Sequence, residues 1–303
     1  MQTSLRMLRY VVATADAGNV TEASRVLNVS QPSVSAAIAQ IEAIYGFQLF
    51  VRHHARGMTL TNSGQRLIND ARLLLSHARD FDMNARAMGA SLQGEITVGS
   101  FVTLAARFMP GLLSEFQRQH PGISVKLEEG DQQEVLGGLL SGRTEIAISY
   151  NYALPEDLIV ESLAGLPPHI LVGAAHPLSQ RKAVSLMDFA EEPFLLLDLP
   201  HSRDYFSSLF TACGIEPKTS FRSRSFELIR GLIGHGHGYT IYNVLPKTDM
   251  AYDGSKVVAL PIIEELPPLG VMRLRLARHA MRPAVQAFWD FLAVALPAAA
   301  KGT

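Results

Sequence analysis

The apolar residues of this 303-residue chain change their repeat once, and the change falls near Glu95. Before it they recur every three or four positions, as on an amphipathic helix; after it, short apolar runs alternate with helical stretches. Such a division predicts an all-helical front followed by an α/β body. The length suits about two domains with a sizeable core. Hydrophobic residues make up 48% and charged ones 18%, which excludes a disordered chain. The single cysteine, Cys213, excludes an internal disulfide and a Cys-rich zinc cluster. No apolar run is expected to reach the roughly 18 residues that span a bilayer, and Arg6 and Arg9 interrupt the first apolar stretch, so neither a membrane span nor a secretory signal is expected and the expected location is the cytoplasm.

Charge divides at the same place. Residues 1–94 hold nine arginines, no lysine and six acids, a net of +3, while the remaining 18 basic and 22 acidic residues leave the body at −4. A mildly basic front suits a polyanionic partner, although a solvated face of ordinary composition gives a similar excess.

Leu5, Leu8, Val12 and Ala15 stand at helical spacing, Gly18-Asn19 stops that helix, and Thr21 is placed to cap a short second one ending at Leu27. Asn28-Val29 turns the chain. Ser30 caps a longer helix with Pro32 in its first turn and an apolar stripe of Val34, Ile38, Ile41 and Tyr45, ending at Gly46. In a helix-turn-helix the leading end of the second helix faces base edges, which selects Gln31, Ser33, Ser35 and Ala36, with Gln31 foremost. Val51 to Thr61 reads as a two-stranded wing turning near Gly57 and carrying Arg52 and Arg56 toward phosphates.

The run Ala23-Ser24-Arg25-Val26-Leu27-Asn28-Val29-Ser30-Gln31-Pro32-Ser33-Val34-Ser35, with Ile38, Ile41-Glu42, Gly46, Leu49-Phe50, Arg52, Leu60-Thr61 and Gly64, resembles the winged helix-turn-helix of the LysR-type transcriptional regulators. That family usually places a basic residue directly after the serine matching Ser35 and often another three positions on, where this chain has Ala36 and Ala39. Direct base readout then leans on Gln31, the serine hydroxyls and the wing arginines.

Leu67, Ala71, Leu74, Ala78, Phe81, Ala85 and Met88 form a heptad seam between Gly64 and Gly89. A partner helix from a second chain would cover it, and similar regulators dimerise through such a linker; packing on its own domain is the alternative. Leu67, Leu74, Phe81 and Met88 are the expected dimerisation residues. Two recognition helices could then occupy major grooves about 34 Å apart.

From Ile96 the alternation predicts strands at 96–99, 123–127, 146–150, 170–173, 194–197, 220–224 and 239–241 with helices between, hence mostly parallel sheets. Near Leu266-Pro267-Pro268 the chain is expected to cross back, adding a strand at 271–276 and a closing helix at 284–296 to the first half. The resemblance implies a two-lobed fold like the periplasmic solute-binding proteins, and the alternation agrees. The expected organisation is a winged helix-turn-helix at 1–62, a linker helix at 63–92 and an effector-binding domain at 93–303, with lobe I at 93–165 and 266–303 and lobe II at 166–265.

Clefts in such folds lie at strand carboxyl ends, where helix N-termini favour anions. Gly99 to Thr103 offers Ser100, Phe101 and Thr103; Leu199 to Arg203 offers His201, Ser202 and Arg203; Tyr150 and Tyr239 are secondary candidates. A small carboxylate fits these groups. The competing roles are helix capping for Ser100 and Ser202, a surface ion pair for Arg203, a structural hydrogen bond for His201 and half-buried strand packing for the tyrosines. Gly234-His235-Gly236-His237-Gly238 lacks the spacing of a dinucleotide loop or a metal site and reads as a helix-to-strand turn. No assembled catalytic set is found, so an enzyme is not expected, nor a cofactor or metal; a transport-type solute receptor is the other rival. The expected partners are double-stranded DNA, a small effector, a second copy of the chain and RNA polymerase, with no membrane.

Overall fold

The computed structural model describes residues 3–53, 57–87, 92–277 and 280–301. Helix α1 (Leu5–Ala17) starts at Ser4, whose hydroxyl accepts from the Met7 amide, and ends at Gly18 in the left-handed conformation, φ 67°. Helix α2 (Val20–Leu27) is capped by Asn19, not by Thr21: Asn19 Oδ1 accepts from the Glu22 amide at 2.7 Å, leaving Thr21 exposed in the first turn. Helix α3 (Gln31–Tyr45) opens at Ser30 and closes at Gly46, as the spacing predicts. The α1 stripe is rotated from its expected position. Met7, Leu8, Val11 and Thr14 are buried, Leu5 is exposed, and Thr14 tolerates burial because its hydroxyl donates to the Tyr10 carbonyl at 2.9 Å. On α3, Val34, Ala37, Ile38 and Ile41 turn inward while Tyr45 stays 48% exposed.

Strands β1 (Phe50–His53) and β2 (Gly57–Leu60) form the antiparallel wing. Gly57 is required there: its φ is 83°, and a Cβ would sit 2.6 Å from the Gly18 carbonyl, which accepts from the Met58 amide. The wing is thereby pinned to the end of α1. Arg56 lies outside the described residues.

Helix α4 (Asn62–Ala87) spans about 39 Å at 1.5 Å per residue. Its first turns belong to the head, since Ile68 and Ala71 are buried with Val11, Ile38 and Leu49 in one apolar cluster. The expected seam is therefore split. Ala71 is covered by its own chain and Leu67 is half-buried, while Leu74 and Phe81 are 44% and 73% exposed. Met88 lies outside the described residues.

The body then runs β3 (Gly94–Phe101), α5 (Val102–Gln119), β4 (Ile123–Gly130), α6 (Gln132–Leu140), β5 (Ile146–Tyr150), β6 (Leu158–Leu166), β7 (His169–Gly173), β8 (Pro193–Leu197), α7 (Ser202–Ala212), β9 (Lys218–Ser223), α8 (Phe226–Gly234), β10 (Thr240–Tyr242), β11 (Val257–Pro261), β12 (Leu269–Leu276) and α9 (Pro283–Ala300). The first sheet has the order β4-β3-β5-β12-β6, with β3 parallel to β4 and β5, and β12 antiparallel to both its neighbours. In the second half, β7 lies antiparallel between β10 and β11, and the parallel pair β8-β9 joins them through a bridge between Phe194 and Tyr239. The sheets are mixed, a correction to the mostly parallel expectation. Strands β6 and β11 were not expected: Glu161-Ser162 interrupts the apolar set of β6, and β11 is a run of only four apolar residues ending at Pro261.

The expectation that no segment is long and apolar enough to cross a membrane is also corrected. Helix α9 meets both criteria, with a mean hydropathy of 1.3 over 18 residues. Its apolar face is spent inside the protein: Ala284, Val285, Phe288, Trp289 and Leu292 are buried, and the Phe288 ring meets Phe116 edge-on at 4.8 Å. Gln286 and Asp290 line the exposed side.

At the start of α9, Arg282 is 2% exposed. Its Nε and Nη2 hold both Glu145 oxygens at 2.8 and 2.6 Å, Nη2 also donates to the Glu95 carbonyl at 2.8 Å, and Nη1 pairs with Asp80 of α4. One guanidinium therefore fastens the linker helix, two strands' ends and the closing helix. Arg282→Ala strands two acids in a buried site and is expected to cost about 3–5 kcal/mol, measured by urea unfolding followed through Trp289, the single tryptophan; a change below 1 kcal/mol would remove this anchoring role.

Candidate functional site

Capping shapes the leading end of α3. The Ser30 hydroxyl accepts from the Ser33 amide at 3.4 Å and lies 2.8 Å from the Ser33 hydroxyl, which fixes both side chains. Gln31, Ser33 and Ala36 are exposed and Ser35 is half-buried, while the opposite face packs into the head. Gln40, four residues beyond Ala36 on the same face, is exposed as well. Its helical period is the signal that marks it. Arg52 is exposed on the wing.

Beside the head, Leu8, Tyr45, Phe47, Leu67, Ala71 and Leu74 line an open groove of about 450 Å³. It continues the exposed part of the seam.

Between the two halves of the body lies a second candidate site. Phe101, Thr103, Tyr150, Tyr152, Ser202, Tyr205, Phe226, Tyr242 and Asn243 are among its thirteen lining residues, none of them charged. The cavity holds about 30 Å³, room for a water or two. Hydrogen bonds close it. Thr103 Oγ1 lies 2.8 Å from the Tyr150 hydroxyl, the Tyr152 hydroxyl lies 3.1 Å from Ser202 Oγ across the cleft, and Asn243 Nδ2 donates to the Tyr205 hydroxyl at 2.7 Å and the Leu166 carbonyl at 2.9 Å. Asn243 Oδ1 is buried without a partner among the described residues. At the rim, Arg224 of the second half pairs with Asp131 of the first at 2.7 Å.

Of the eight residues expected around an effector, Phe101, Thr103, Tyr150 and Ser202 converge on this cavity. Neither serine caps a helix: Ser202 is the first residue of α7, and Ser100 is wholly buried with its hydroxyl 3.4 Å from the Phe101 carbonyl, outside the lining. Helices α5 and α7 both begin without a side-chain cap, and the first amide of α7, at Ser202, donates instead to the Leu199 carbonyl at 3.1 Å. His201 is the exposed N-cap of α7, with a left-handed φ of 65° and its ring 6.5 Å from that of Tyr152. Arg203 points elsewhere, paired with Asp198 at 2.6 Å. Tyr239 is corrected too: its ring packs between Phe189 and Phe194, in the core of the second half. Sequence reasoning missed Tyr152, Tyr205, Phe226, Tyr242 and Asn243; Tyr152 alone had a signal, standing two residues beyond Tyr150.

In the Gly234 to Gly238 turn, His235 pairs with Asp253 at 3.1 Å, and a Cβ on Gly238 would lie 2.1 Å from the Pro193 carbonyl. Among the described residues no cluster of three or more His, Cys, Asp or Glu is placed to hold a metal.

Residues 5–65 match the bacterial regulatory helix-turn-helix protein of the lysR family, and residues 89–296 match the LysR substrate binding domain. The chain belongs to the LysR family. It is a DNA-binding transcriptional regulator with a substrate-binding effector domain. The crystal structure of HinK, a LysR family transcriptional regulator from Pseudomonas aeruginosa, is 36% identical, covers 96% of this chain and 97% of its own, and superposes with a TM-score of 0.65. The HTH-type transcriptional regulator YvbU of Bacillus subtilis is 27% identical over 96% of this chain and 97% of its own. The dual regulator OxyR of Escherichia coli is 27% identical over 87% and 86%.

Burial favours the neutral phenol and raises the cavity tyrosines above their ordinary value of 10; Tyr205 is pushed up to about 12, against a smaller lowering by the Asn243 hydrogen bond. An unfolded tyrosine ionises first, so this contribution to stability is complete below pH 10 and is lost as pH rises toward 12. Thermal unfolding between pH 8 and 12 is expected to show that loss, and Tyr205→Phe to reduce it; an unchanged profile in the variant would contradict it.

Proposed function

We propose that this LysR-family regulator reads a DNA site through Gln31, Ser33, Ser35 and Ala36 at the leading end of α3, with Thr21, Ser30, Arg52 and Arg56 placed toward the backbone, and that a small effector bound between the lobes controls it. The capped, exposed front of α3 carries this reading: its apolar face is committed to the head, so its polar face is free to enter a groove. We take the units to be a winged helix-turn-helix at 1–62, a linker helix at 63–92 and an effector-binding domain at 93–303. The exposed Leu74 and Phe81, together with Leu67 and Met88, serve as the face on which a second copy docks. RNA polymerase is the partner through which such a regulator alters transcription, and the cytoplasm is where these partners meet.

Effector binding is supported by the hydroxyl-rich interlobe cavity and the two uncapped helix ends beside it. A small carboxylate would be held by the hydroxyls of Thr103 and Ser202, since no cationic side chain lines the cavity. A regulatory rather than enzymatic role fits the family, whose relatives are named as transcriptional regulators. Thiol-based redox sensing does not fit this chain: Cys213 is the single cysteine, and burial, with Glu264 nearby, raises its thiol pKa and lowers its reactivity.

Gln31→Ala is expected to reduce discrimination between the cognate site and random duplex by about 1–3 kcal/mol, read by gel shift at fixed salt. Equal loss on both duplexes would count against base readout. Replacing Leu74 and Phe81 together with Asp is expected to yield monomers in sedimentation equilibrium, and an unchanged mass would remove the seam from the interface.

A further inference from the structure

The nine-residue helix α6 lies between the interlobe cavity and the linker helix α4, and it meets them through polar contacts at its two ends. At the cleft end, Asp131 caps the helix by accepting from the Glu134 amide at 3.0 Å, and its other oxygen takes Arg224 of the second lobe at 2.7 Å. Gln132, fully buried, donates to the carbonyl oxygens of Tyr150 and Tyr152 at 3.3 and 2.8 Å and accepts from the Ser149 hydroxyl. Both tyrosines line the cavity.

At the other end the chain leaves α6 through carbonyls that have no partner inside the helix. Two residues of the linker helix take them. Asn69 Nδ2 donates to the Leu140 carbonyl, and Arg72 Nη1 donates to the Ser141 carbonyl. The Arg72 side chain is only 12% exposed, and its second amino group pairs with Asp16 near the end of α1. Asn69 is held in turn by Gln65 Nε2 at 2.9 Å. Gly142 lets the backbones approach, since a Cβ there would meet the Asn69 Cα and carbonyl oxygen at 3.3 Å.

We propose that Asn69 and Arg72 are positioning residues that set the pose of the DNA-binding head according to the position of α6, and that α6 is moved by opening or closing of the effector cleft. This rests on the reading of the cavity as the effector site. The physical reason is geometric. Hydrogen bonds to a helix end fail when that end shifts by about 1 Å, and a helix this short moves as one body. Separating the lobes removes the Arg224 contact from the Asp131 end, and the displacement reaches Arg72 at the other end, and through it Asp16. Coupling of this kind is tested by whether changes at the two ends add.

The test needs no ligand. Hydrogen exchange of the full chain is followed in wild type, Arg224→Gln, Asp16→Asn and the double variant, with DNA affinity measured by gel shift on the same preparations. Arg224→Gln is expected to speed exchange at least fivefold in residues 12–18 and 66–75, far from the substitution, and Arg224→Lys to restore slow exchange. In the Asp16→Asn background, Arg224→Gln is expected to change residues 12–18 no further, while 66–75 still responds. Exchange confined to the cleft in Arg224→Gln, or full additivity in the double variant, would overturn the proposal. Loss of specific DNA binding by every protein including wild type would instead overturn the regulator reading itself.

Discussion

A single buried guanidinium decides how the parts of this regulator are arranged. Arg282 is out of water, and its desolvation is offset only because Glu145, Asp80 and the Glu95 carbonyl use its donors from several directions. A lysine could not fill that place, having no planar fork to span the two Glu145 oxygens. The consequence is that α4 leaves the head already fixed against the first lobe. Head, linker and body are mechanically continuous in one chain rather than beads on a flexible string.

That continuity explains the division of labour along α4. Its first turns are needed by the head's core, where Ile68 and Ala71 close the base of the bundle, and Asp80 is needed by the body. What remains exposed is the stretch between and beside them, with Leu74 and Phe81 outward. The heptad pattern is legible in sequence because one period serves both purposes. Which of its residues face inward is not legible, since that depends on where α1 crosses.

Elements with strong local chemistry were readable from sequence: Ser30 and Gly46 bound α3, and glycines mark the wing and the turn before β10. The misreadings share a cause. Thr21 and Asn19 are both good caps, and only the backbone conformation at Asn19 chooses between them. Ser100 and Tyr239 sit at strand ends as a cleft residue would, yet point into cores that form only when distant strands pair. The cavity was half-readable for the same reason. Phe101, Thr103, Tyr150 and Ser202 follow from the rule that clefts open at strand ends, whereas Tyr205, Phe226, Tyr242 and Asn243 arrive from the second lobe by tertiary packing, which leaves no periodic trace.

The near-filled cleft carries a consequence for sensitivity. On the proposed reading of the cavity as the effector site, the protein's own tyrosines occupy the space the ligand would take, so that ligand competes against an intramolecular rival at fixed effective concentration. Apparent affinity is then intrinsic affinity scaled by the fraction of molecules standing ajar. On that reading, strengthening the Tyr152 to Ser202 contact would make a quieter but deafer sensor, and weakening it a keener one that fires without cause.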